Sequence, residues 1–386
     1  MGAYRIPFNR PTLVGREFLY IAQAILDGHI SGAGEFTRRC QDLLAATLAA
    51  PKVLLTTSGT HALEMAAHLL RIEPGDEVIV PSFTFVSTVN AFVLRGAKPV
   101  FVDIRRDTLN LDESRLEQLI TPRTRAILPV HYAGVGCEMA AIQDVAGRHG
   151  VAVVEDNAHG LFARYRGRFL GTFGCLAIQS FHETKNYTCG EGGALVVNDL
   201  SFGERAEILR EKGTNRAQFF RGEVDKYTWV DVGSSYVPSE ILAAFLFAQL
   251  EAREEILAKR RRAWQFYDTH LRGWAEAHAV ALPRIPNHCE QPYHMYYILL
   301  PSQAVRQHLI EFLKARGILS VFHYVPLHLS LVGQRLGVNL DGCPVTEDVS
   351  ERLVRLPFYT DITEADQAEV ISSVKLCLDQ SPACRS

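Results

Sequence analysis

The sequence lacks several features that would assign it to other classes of protein. No run of apolar residues is long enough to cross a bilayer, and the formal net charge of −3 provides no basic surface for nucleic acid. None of the eight cysteines forms a C-x-x-C pair, so neither a zinc site nor a disulfide framework is indicated. We therefore expect no membrane partner, no nucleic-acid partner and no metal site.

Two further observations bear on the location of the protein. Residues 1–7 contain no secretory h-region, so we expect a cytoplasmic protein. The scattered cysteines fit that expectation as reduced packing residues. They are Cys40, Cys137, Cys175, Cys189, Cys289, Cys343, Cys377 and Cys384.

Short apolar runs alternate with longer helical patterns through the first two thirds of the 386 residues. This pattern is typical of a mostly parallel sheet that is covered by helices on both faces, so we predict an α/β protein. With 47% hydrophobic residues, the chain is long enough for two layered domains. The predicted strands are residues 53–56, 77–80, 99–103, 126–130, 151–155, 177–181 and 194–197, with helices at 61–71, 87–94 and 139–149.

The pattern changes after about Leu250, which predicts a second domain. Charged and helical stretches lead into a proline-rich connection and then a shorter α+β pattern, at residues 251–262, 264–274, 283–292, 295–300, 304–316 and 318–325. We predict a large domain over residues 1–250 and a smaller C-terminal domain over residues 251–386. The basic run at residues 259–262 fits either a diphosphate contact or a solvated helix face, and we favour the solvated face.

Three polar features follow predicted strands closely. Lys185 lies just past one strand and shortly before the glycine-rich residues 190–193, where the backbone is able to approach a ligand. Asp156 and the turn at residues 57–60 each follow another strand directly. Because ligands bind at the carboxyl ends of such strands, we expect all three features to meet along one rim of the sheet.

These features match the requirements of pyridoxal phosphate (PLP). The cofactor needs a lysine amine for its aldehyde, a carboxylate that keeps its pyridine nitrogen protonated, and hydrogen-bond donors for its phosphate. Lys185 supplies the amine, Asp156 the carboxylate, and the helix start at residues 57–60 the donors.

Each residue also has a structural alternative. Lys185 alone would fit a surface lysine, and Asp156 would fit the N-cap of a helix that begins near residue 157. The turn at residues 57–60 serves as an N-cap cluster in either case, because a helix N-terminus attracts anions. The combination of Lys185 with Asp156 favours the functional interpretation.

Four segments resemble the DegT/DnrJ/EryC1/StrS nucleotide-sugar aminotransferases, and the likeness extends over essentially the whole chain. They are TSGTHALE (57–64), PSFTFVST (81–88), EDNAH (155–159) and SFHETKNYTCGEGG (180–193). Further segments are most similar to the dTDP-4-amino-4,6-dideoxygalactose transaminases within that family. Those are VHYAG (130–134), EKGTNR (211–216), FFRG (219–222), DKYTW (225–229) and FHYVPLH (322–328).

The resemblance implies the type I fold of PLP-dependent aminotransferases and a role for each candidate residue. Lys185 would carry the cofactor, Asp156 would pair with its ring nitrogen, and His159 would lie near its ring oxygen. The other cofactor residues would be Gly59, Thr60 and Ser180 at the phosphate and Phe85 on the ring face. The sugar would contact His323, Tyr324 and His328, which interrupt an apolar segment of the smaller domain.

One position departs from the family pattern. Many relatives carry Gly-x-Asn-x-Arg where this chain has GSSYV at residues 233–237, and their asparagine reaches the phosphate from a neighbouring subunit. Ser235 occupies the asparagine position and is still able to donate a hydrogen bond, but its side chain has a shorter reach. Val237 has no charge to replace the arginine.

The resemblance also implies a reaction and its partners. L-glutamate would give its amino group to dTDP-4-keto-6-deoxyglucose through PLP and pyridoxamine phosphate, with 2-oxoglutarate as the second product. The galacto configuration of the new amine is favoured, and a homodimer would build each active site at the subunit interface. The alternatives are a gluco-forming or C3-specific aminotransferase, a sugar dehydratase, which Lys185 argues against, and a non-catalytic regulator.

Overall fold

The computed structural model describes residues 4–340 and 342–380, and a seven-stranded sheet forms its centre. The strands of the described chain are β1 (Lys52–Thr56), β2 (Glu77–Pro81), β3 (Lys98–Val102), β4 (Thr124–Ile127), β5 (Ala152–Asp156), β6 (Arg164–Tyr165), β7 (Arg168–Phe169), β8 (Leu176–Ser180), β9 (Gly193–Val197), β10 (Cys289–Glu290), β11 (Tyr297–Leu299) and β12 (Leu353–Arg355).

Helices surround this sheet and form most of the C-terminal part. The α-helices of the described chain are α1 (Glu17–Leu26), α2 (Glu35–Leu48), α3 (Gly59–Leu69), α4 (Ser87–Val93), α5 (Leu116–Leu119), α6 (Met139–His149), α7 (Gly203–Arg210), α8 (Arg216–Phe220), α9 (Glu240–Glu251), α10 (Arg253–Ala277), α11 (Gln303–Ala315), α12 (Leu331–Leu336), α13 (Pro344–Arg352) and α14 (Glu364–Gln380). Short 3₁₀ turns lie at Glu113–Arg115, Tyr132–Gly134, Leu200–Phe202 and Leu327–Leu329.

The main sheet has the strand order β1-β9-β8-β5-β4-β2-β3. All of its strands run parallel except β9, which is antiparallel to β8 and β1. The predicted α/β class with a mostly parallel sheet is therefore confirmed. The reversal of β9 was not predicted. It occurs because residues 181–192 contain no helix and return the chain directly beside β8, whereas a parallel pair needs a long crossover.

Alternate residues of the buried strands pack on opposite faces of the sheet. On β5, Val154 packs with the cluster that includes α3 and α4, whereas Val153 packs with the cluster that includes α6. Val80 and Ile79 on β2 divide in the same way. Strands that are apolar on both faces therefore read as continuous apolar runs in the sequence.

A second core lies in the C-terminal part. It joins α10, α11, α14 and the β11–β12 pair, and Ile6 from the N-terminal segment is buried in it. The domain division at residue 250 stays a prediction. Residues 251–262 and 264–274 belong mainly to the single helix α10, and residues 318–325 form isolated bridges through Ile318 and Val321 rather than the expected strand.

The basic run at residues 259–262 is not uniformly solvated, so our expectation was wrong for Arg260. This side chain is only 3% exposed and belongs to the apolar stripe of α10, in register with Ile256 and Tyr267. Its guanidinium donates to the carbonyl oxygens of Tyr293 and His294.

No helix in residues 4–340 and 342–380 is long and apolar enough to cross a membrane. The same residues contain no group of three or more histidine, cysteine or acidic side chains arranged to hold a metal ion. No disulfide joins the cysteines within these ranges, and Cys384 and residues 1–3 lie outside them.

Candidate active site

The carboxyl ends of β1, β5 and β8 open into a cavity of about 350 Å³. Nine of the predicted site residues line it: Gly59, Thr60, Phe85, Asp156, His159, Ser180, Lys185, His323 and Tyr324. We call one side the sheet wall, formed by Gly59, Thr60, Asp156, Ser180 and Lys185, and the other the C-terminal wall, formed by His294, His323, Tyr324 and Arg355. A larger groove of about 780 Å³ beside α10 contains none of these residues.

The start of α3 provides a site for an anion in the sheet wall. Ser58 is the N-cap of this 11-residue helix, and its hydroxyl accepts a hydrogen bond from the His61 backbone N–H at 3.1 Å. A Cβ atom on Gly59 would lie 3.2 Å from the Cβ of Ser180, so glycine permits the close approach of α3 to β8. Helix N–H groups and the positive end of the helix dipole therefore face the cavity.

Asp156, at the end of β5, is held on both of its carboxylate oxygens. Oδ2 accepts a hydrogen bond from the Thr88 hydroxyl at 2.7 Å, and Oδ1 accepts one from the Ala158 backbone N–H at 3.1 Å. Residues 157–159 form a turn rather than the start of a helix, so the helix-cap alternative for Asp156 is wrong. The carboxylate is fixed in the cavity wall with only 6% exposure.

The neighbouring carboxylate shows what a purely structural role looks like in this strand. Glu155 points to the opposite face of the sheet, as strand alternation requires. There it accepts hydrogen bonds from His131 Nε2 and from the backbone N–H groups of Gly171, Phe173 and Gly174. Glu155 thus fixes a turn, while Asp156 faces the cavity.

Lys185 is presented by the loop between β8 and β9. Hydrogen bonds from the backbone N–H groups of Glu183 to Gly190 and of Lys185 to His182 close this loop, and Gly190 adopts a left-handed φ of 85°. Burial lowers the pKa of the Lys185 amine from its ordinary value of 10.5 to about 8, against the opposing effect of the Asp156 charge. The neutral fraction of this amine near neutral pH is therefore much larger than that of an ordinary lysine, which favours nucleophilic attack and proton transfer.

Neutral imidazoles pack beside the lysine. The rings of His159 and His294 stack with their centroids 4.3 Å apart, and Nδ1 of His159 is buried without a hydrogen-bond partner. His323 bonds through Nδ1 to the Tyr132 hydroxyl at 3.0 Å, and its peptide bond to Tyr324 is cis. Burial lowers the pKa of all three histidines well below that of an exposed imidazole.

Two predicted residues lie away from the cavity. Ser235 is exposed and does not line the cavity of its own chain. His328 is buried, and its ring nitrogens are engaged by the Ser82 hydroxyl at 2.6 Å and the Glu347 carboxylate at 3.0 Å. The geometry therefore gives His328 a structural role in joining β2 to α13.

Several cavity residues were not predicted from the sequence, among them Thr88, His294 and Arg355. Thr88 lies within the PSFTFVST segment without a signal of its own, and His294 stands in a connection that carries no periodic signal. Arg355 had a usable signal, because it interrupts the apolar residues 353–358 with a charge, and charged residues are rarely placed in buried strands unless they have a partner.

Comparison with known proteins agrees with this geometry. The sequence profile described as the DegT/DnrJ/EryC1/StrS aminotransferase family matches residues 12–375. The chain belongs to this family.

Solved structures support the assignment over almost the full length. A protein described as a sugar aminotransferase, Spr1654 from Streptococcus pneumoniae, is 27% identical, with a TM-score of 0.90 over 97% of this chain and 98% of that one. Its PLP and PMP forms match with TM-scores of 0.89, again at 27% identity over 97% of this chain and 98% or 99% of theirs. DesV from S. venezuelae, solved with a ketimine intermediate, is 32% identical, with a TM-score of 0.85 over 97% of this chain and 98% of its own.

The cavity of this DegT/DnrJ/EryC1/StrS aminotransferase fits PLP. The amine of Lys185, the fixed carboxylate of Asp156 and the start of α3 meet the three requirements of the cofactor on one wall. The unpartnered Nδ1 of His159 provides a further polar contact. The enzyme is a PLP-dependent aminotransferase, and Phe85 is one of the residues that line its cavity.

Proposed function

We propose that the enzyme transfers the amino group of L-glutamate to C4 of dTDP-4-keto-6-deoxyglucose. The products are 2-oxoglutarate and dTDP-4-amino-4,6-dideoxygalactose. The observation that carries the proposal is the placement of Lys185 and Asp156 opposite a wall of aromatic and imidazole side chains. Such groups stack on a sugar ring and hydrogen-bond its hydroxyls, and the sugar aminotransferase relatives support this substrate class.

The proposed roles follow from the positions of the side chains. Bound PLP supplies an electron sink that stabilises negative charge on the reacting carbon. Asp156 holds a proton on the pyridine nitrogen. Lys185 takes a proton from Cα of glutamate and, in the second half-reaction, delivers one to the sugar carbon that receives the nitrogen. Its lowered pKa suits both transfers near neutral pH.

Both half-reactions use the sheet wall for the chemistry. Glutamate and the sugar nucleotide bind in turn at the C-terminal wall. Gly59, Thr60 and Ser180 would hold the phosphate of the cofactor, His159 would contact its ring oxygen, and Phe85 would pack on its ring. His323 and Tyr324 contact the sugar. The resemblance to the dideoxygalactose transaminases favours the galacto product over the gluco or C3 alternatives.

We also propose a homodimer with active sites at the subunit interface. Phe18, Leu26, Phe220 and Trp229 are 72%, 85%, 69% and 77% exposed, and exposed apolar surface of this kind is typical of interfaces. The exposed Ser235 fits a role in the neighbouring site. Light scattering should give twice the 43.1 kDa mass of one chain, and a monomer mass for a fully active protein would exclude this arrangement. We propose in addition that the enzyme is cytoplasmic.

The decisive experiment determines the configuration of the sugar product. The purified enzyme is incubated with dTDP-4-keto-6-deoxyglucose and L-glutamate, and the coupling between H3 and H4 is measured by NMR. A small coupling identifies the galacto product that we expect, whereas a large coupling identifies the gluco product. An amine at C3, or no amino sugar at all, would refute the proposed substrate.

A further inference from the structure

Thr84 and Thr88 are cavity residues to which the proposed reaction assigns no task. Both line the cavity with Asp156, and they are only 2% and 1% exposed. Thr88 lies in the first turn of α4, and Thr84 precedes this helix in the loop that follows β2. The backbone N–H of Thr88 donates to the Phe85 carbonyl oxygen at 3.2 Å. The start of α4 therefore fixes the Thr88 side chain beside the end of β5.

The hydrogen bonds of these two threonines run in one direction. An ionised carboxylate only accepts, so the single hydrogen of the Thr88 hydroxyl is donated to Oδ2 of Asp156, at 2.7 Å. The Thr88 oxygen accepts in turn from the Thr84 hydroxyl, at 2.9 Å. In such a chain each hydrogen bond polarises the next, which strengthens the donation to the carboxylate.

Asp103 shows how this fold holds a carboxylate that has only a structural task. It follows β3, is 1% exposed and does not line the cavity. Its oxygens accept hydrogen bonds from the backbone N–H groups of Ile104, Val345 and Thr346, and from the Thr346 hydroxyl at 2.9 Å. Asp156 accepts from one backbone N–H and one hydroxyl. It keeps lone pairs for a cofactor, and a single hydroxyl has a larger share in stabilising its charge.

The chemistry of the cofactor makes this share important. A hydrogen bond to the ionised form of a carboxylate lowers its affinity for a proton. The pyridine nitrogen of PLP and a carboxylate compete closely for one proton, and the ring is an effective electron sink only when the nitrogen holds it. A donor that stabilises the charge of Asp156 therefore favours the proton on the ring.

We propose that Thr88, oriented by Thr84, is a positioning residue that keeps this proton on the pyridine nitrogen rather than on Asp156. When the Thr88 hydrogen bond is removed, the proton moves from the nitrogen to the carboxylate, an O–H bond replaces the N–H bond, and the charged pair becomes neutral. This assignment rests on the proposed role of Asp156. It does not depend on the identity of the amino donor or of the sugar.

The test reads the position of the proton directly. The protein is loaded with PLP labelled with ¹⁵N in the ring, because the ¹⁵N chemical shift distinguishes a protonated from an unprotonated pyridine nitrogen. Wild type is compared with Thr88→Val, which keeps the shape without the hydroxyl, with Thr88→Ser, which restores it, and with Thr84→Val. Asp156→Asn gives the reference for an unprotonated ring. Thr346→Val is the matched control, since it removes a hydroxyl that donates to a buried carboxylate outside the cavity.

Thr88→Val should shift the proton equilibrium about 10- to 100-fold toward Asp156, as expected for one hydrogen bond to a charged group. The ¹⁵N shift should move toward that of Asp156→Asn, and both half-reactions should slow by a similar factor. Thr84→Val should shift the equilibrium in the same direction by less than about threefold, because Thr88 loses only the polarisation of its hydroxyl. Thr88→Ser and Thr346→Val should match wild type.

Other outcomes would overturn the assignment. An unchanged ¹⁵N shift in Thr88→Val, or a change that Thr88→Ser does not reverse, would show that the hydroxyl does not control the proton. An equal change in Thr346→Val would indicate general damage to the fold. Thr84→Val decides the question if Thr88→Val does not fold, and an unchanged shift there would refute the chain of hydroxyls. The NMR measurement needs no substrate, so a wrong donor or sugar leaves it unaffected, whereas an unprotonated nitrogen in wild type would refute the role of Asp156 as well.

Discussion

The two walls of the cavity differ in how their oppositely charged side chains Asp156 and Arg355 are bonded. On the sheet wall, both oxygens of Asp156 accept hydrogen bonds, and the Thr60 hydroxyl donates to Ser87 at 2.9 Å. On the C-terminal wall, Nε of Arg355 is unpartnered, and no residue that the structure describes bonds the Tyr324 hydroxyl. A carboxylate that is held in advance on both oxygens suits a resident cofactor, whereas unpaired donors such as Arg355 Nε and the Tyr324 hydroxyl suit substrates that enter and leave.

This contrast predicts how variants should behave. Changes to the sheet wall should impair both half-reactions, because both use the same cofactor and the same proton-transfer groups. Changes to the C-terminal wall should impair one half-reaction and spare the other. Single-turnover spectra of the cofactor separate the two.

The largest effect is expected for Lys185→Ala. Both half-reactions should slow by at least about 10⁴-fold, because the amine moves the proton in each. The matched control is Lys212→Ala, which removes an exposed lysine paired with Glu211 and should keep wild-type rates. A Lys185→Ala enzyme with substantial turnover would show that another group moves the proton.

Asp156→Asn should be the next most severe change. Asparagine keeps an acceptor oxygen for the Ala158 N–H, and its NH2 group is able to donate to the Thr88 hydroxyl oxygen, but the negative charge is removed. We expect both half-reactions to fall by roughly 10²–10⁴-fold with the unfolding temperature nearly unchanged. Near wild-type rates would mean that Asp156 only orders the turn.

Tyr324→Phe tests the C-terminal wall. The ring contacts with Phe83 and Tyr132 remain in phenylalanine, and only the unpaired hydroxyl is lost. The sugar half-reaction should fall about tenfold, the value of one hydrogen bond to an uncharged group, while the glutamate half-reaction stays the same. Equal losses in both would indicate damage to the cofactor site, and no loss would remove Tyr324 from the sugar contacts.

The smallest effect concerns the Lys185 pKa, on which the two walls act in opposite directions. Asp156 raises this pKa, while burial and Arg355 lower it, to about 8. Only the neutral amine of Lys185 reacts with added cofactor. The rate of this reaction should therefore rise with pH through a midpoint near 8. Arg355→Gln should move the midpoint upward and Asp156→Asn downward. A wild-type midpoint near the ordinary 10.5, or shifts of the opposite sign, would contradict this description.

The sheet wall was largely predictable from the sequence, and the C-terminal wall was not. Buried parallel strands leave continuous apolar runs, and the residues that follow them must meet at one edge, which located Lys185 and Asp156. Arg355 and His294 reach the same cavity only through the packing of distant elements. The charge of Arg355 within an apolar run indicates a buried partner but not this cavity, and His294 has no local signal. His328 was misplaced because a histidine after an apolar segment fits a buried hydrogen-bonded position as well as a ligand contact.

The most direct test of the account is to identify the lysine that binds the cofactor. The protein is reconstituted with PLP, reduced with borohydride and digested, and the modified peptide is identified by mass spectrometry, with Lys185→Ala as the control. We predict one pyridoxyl label on Lys185 within residues 180–193 and no label in the variant. A label on another lysine such as Lys212, or no stable label in an active enzyme, would contradict the central claim that Lys185 carries the cofactor and moves the proton.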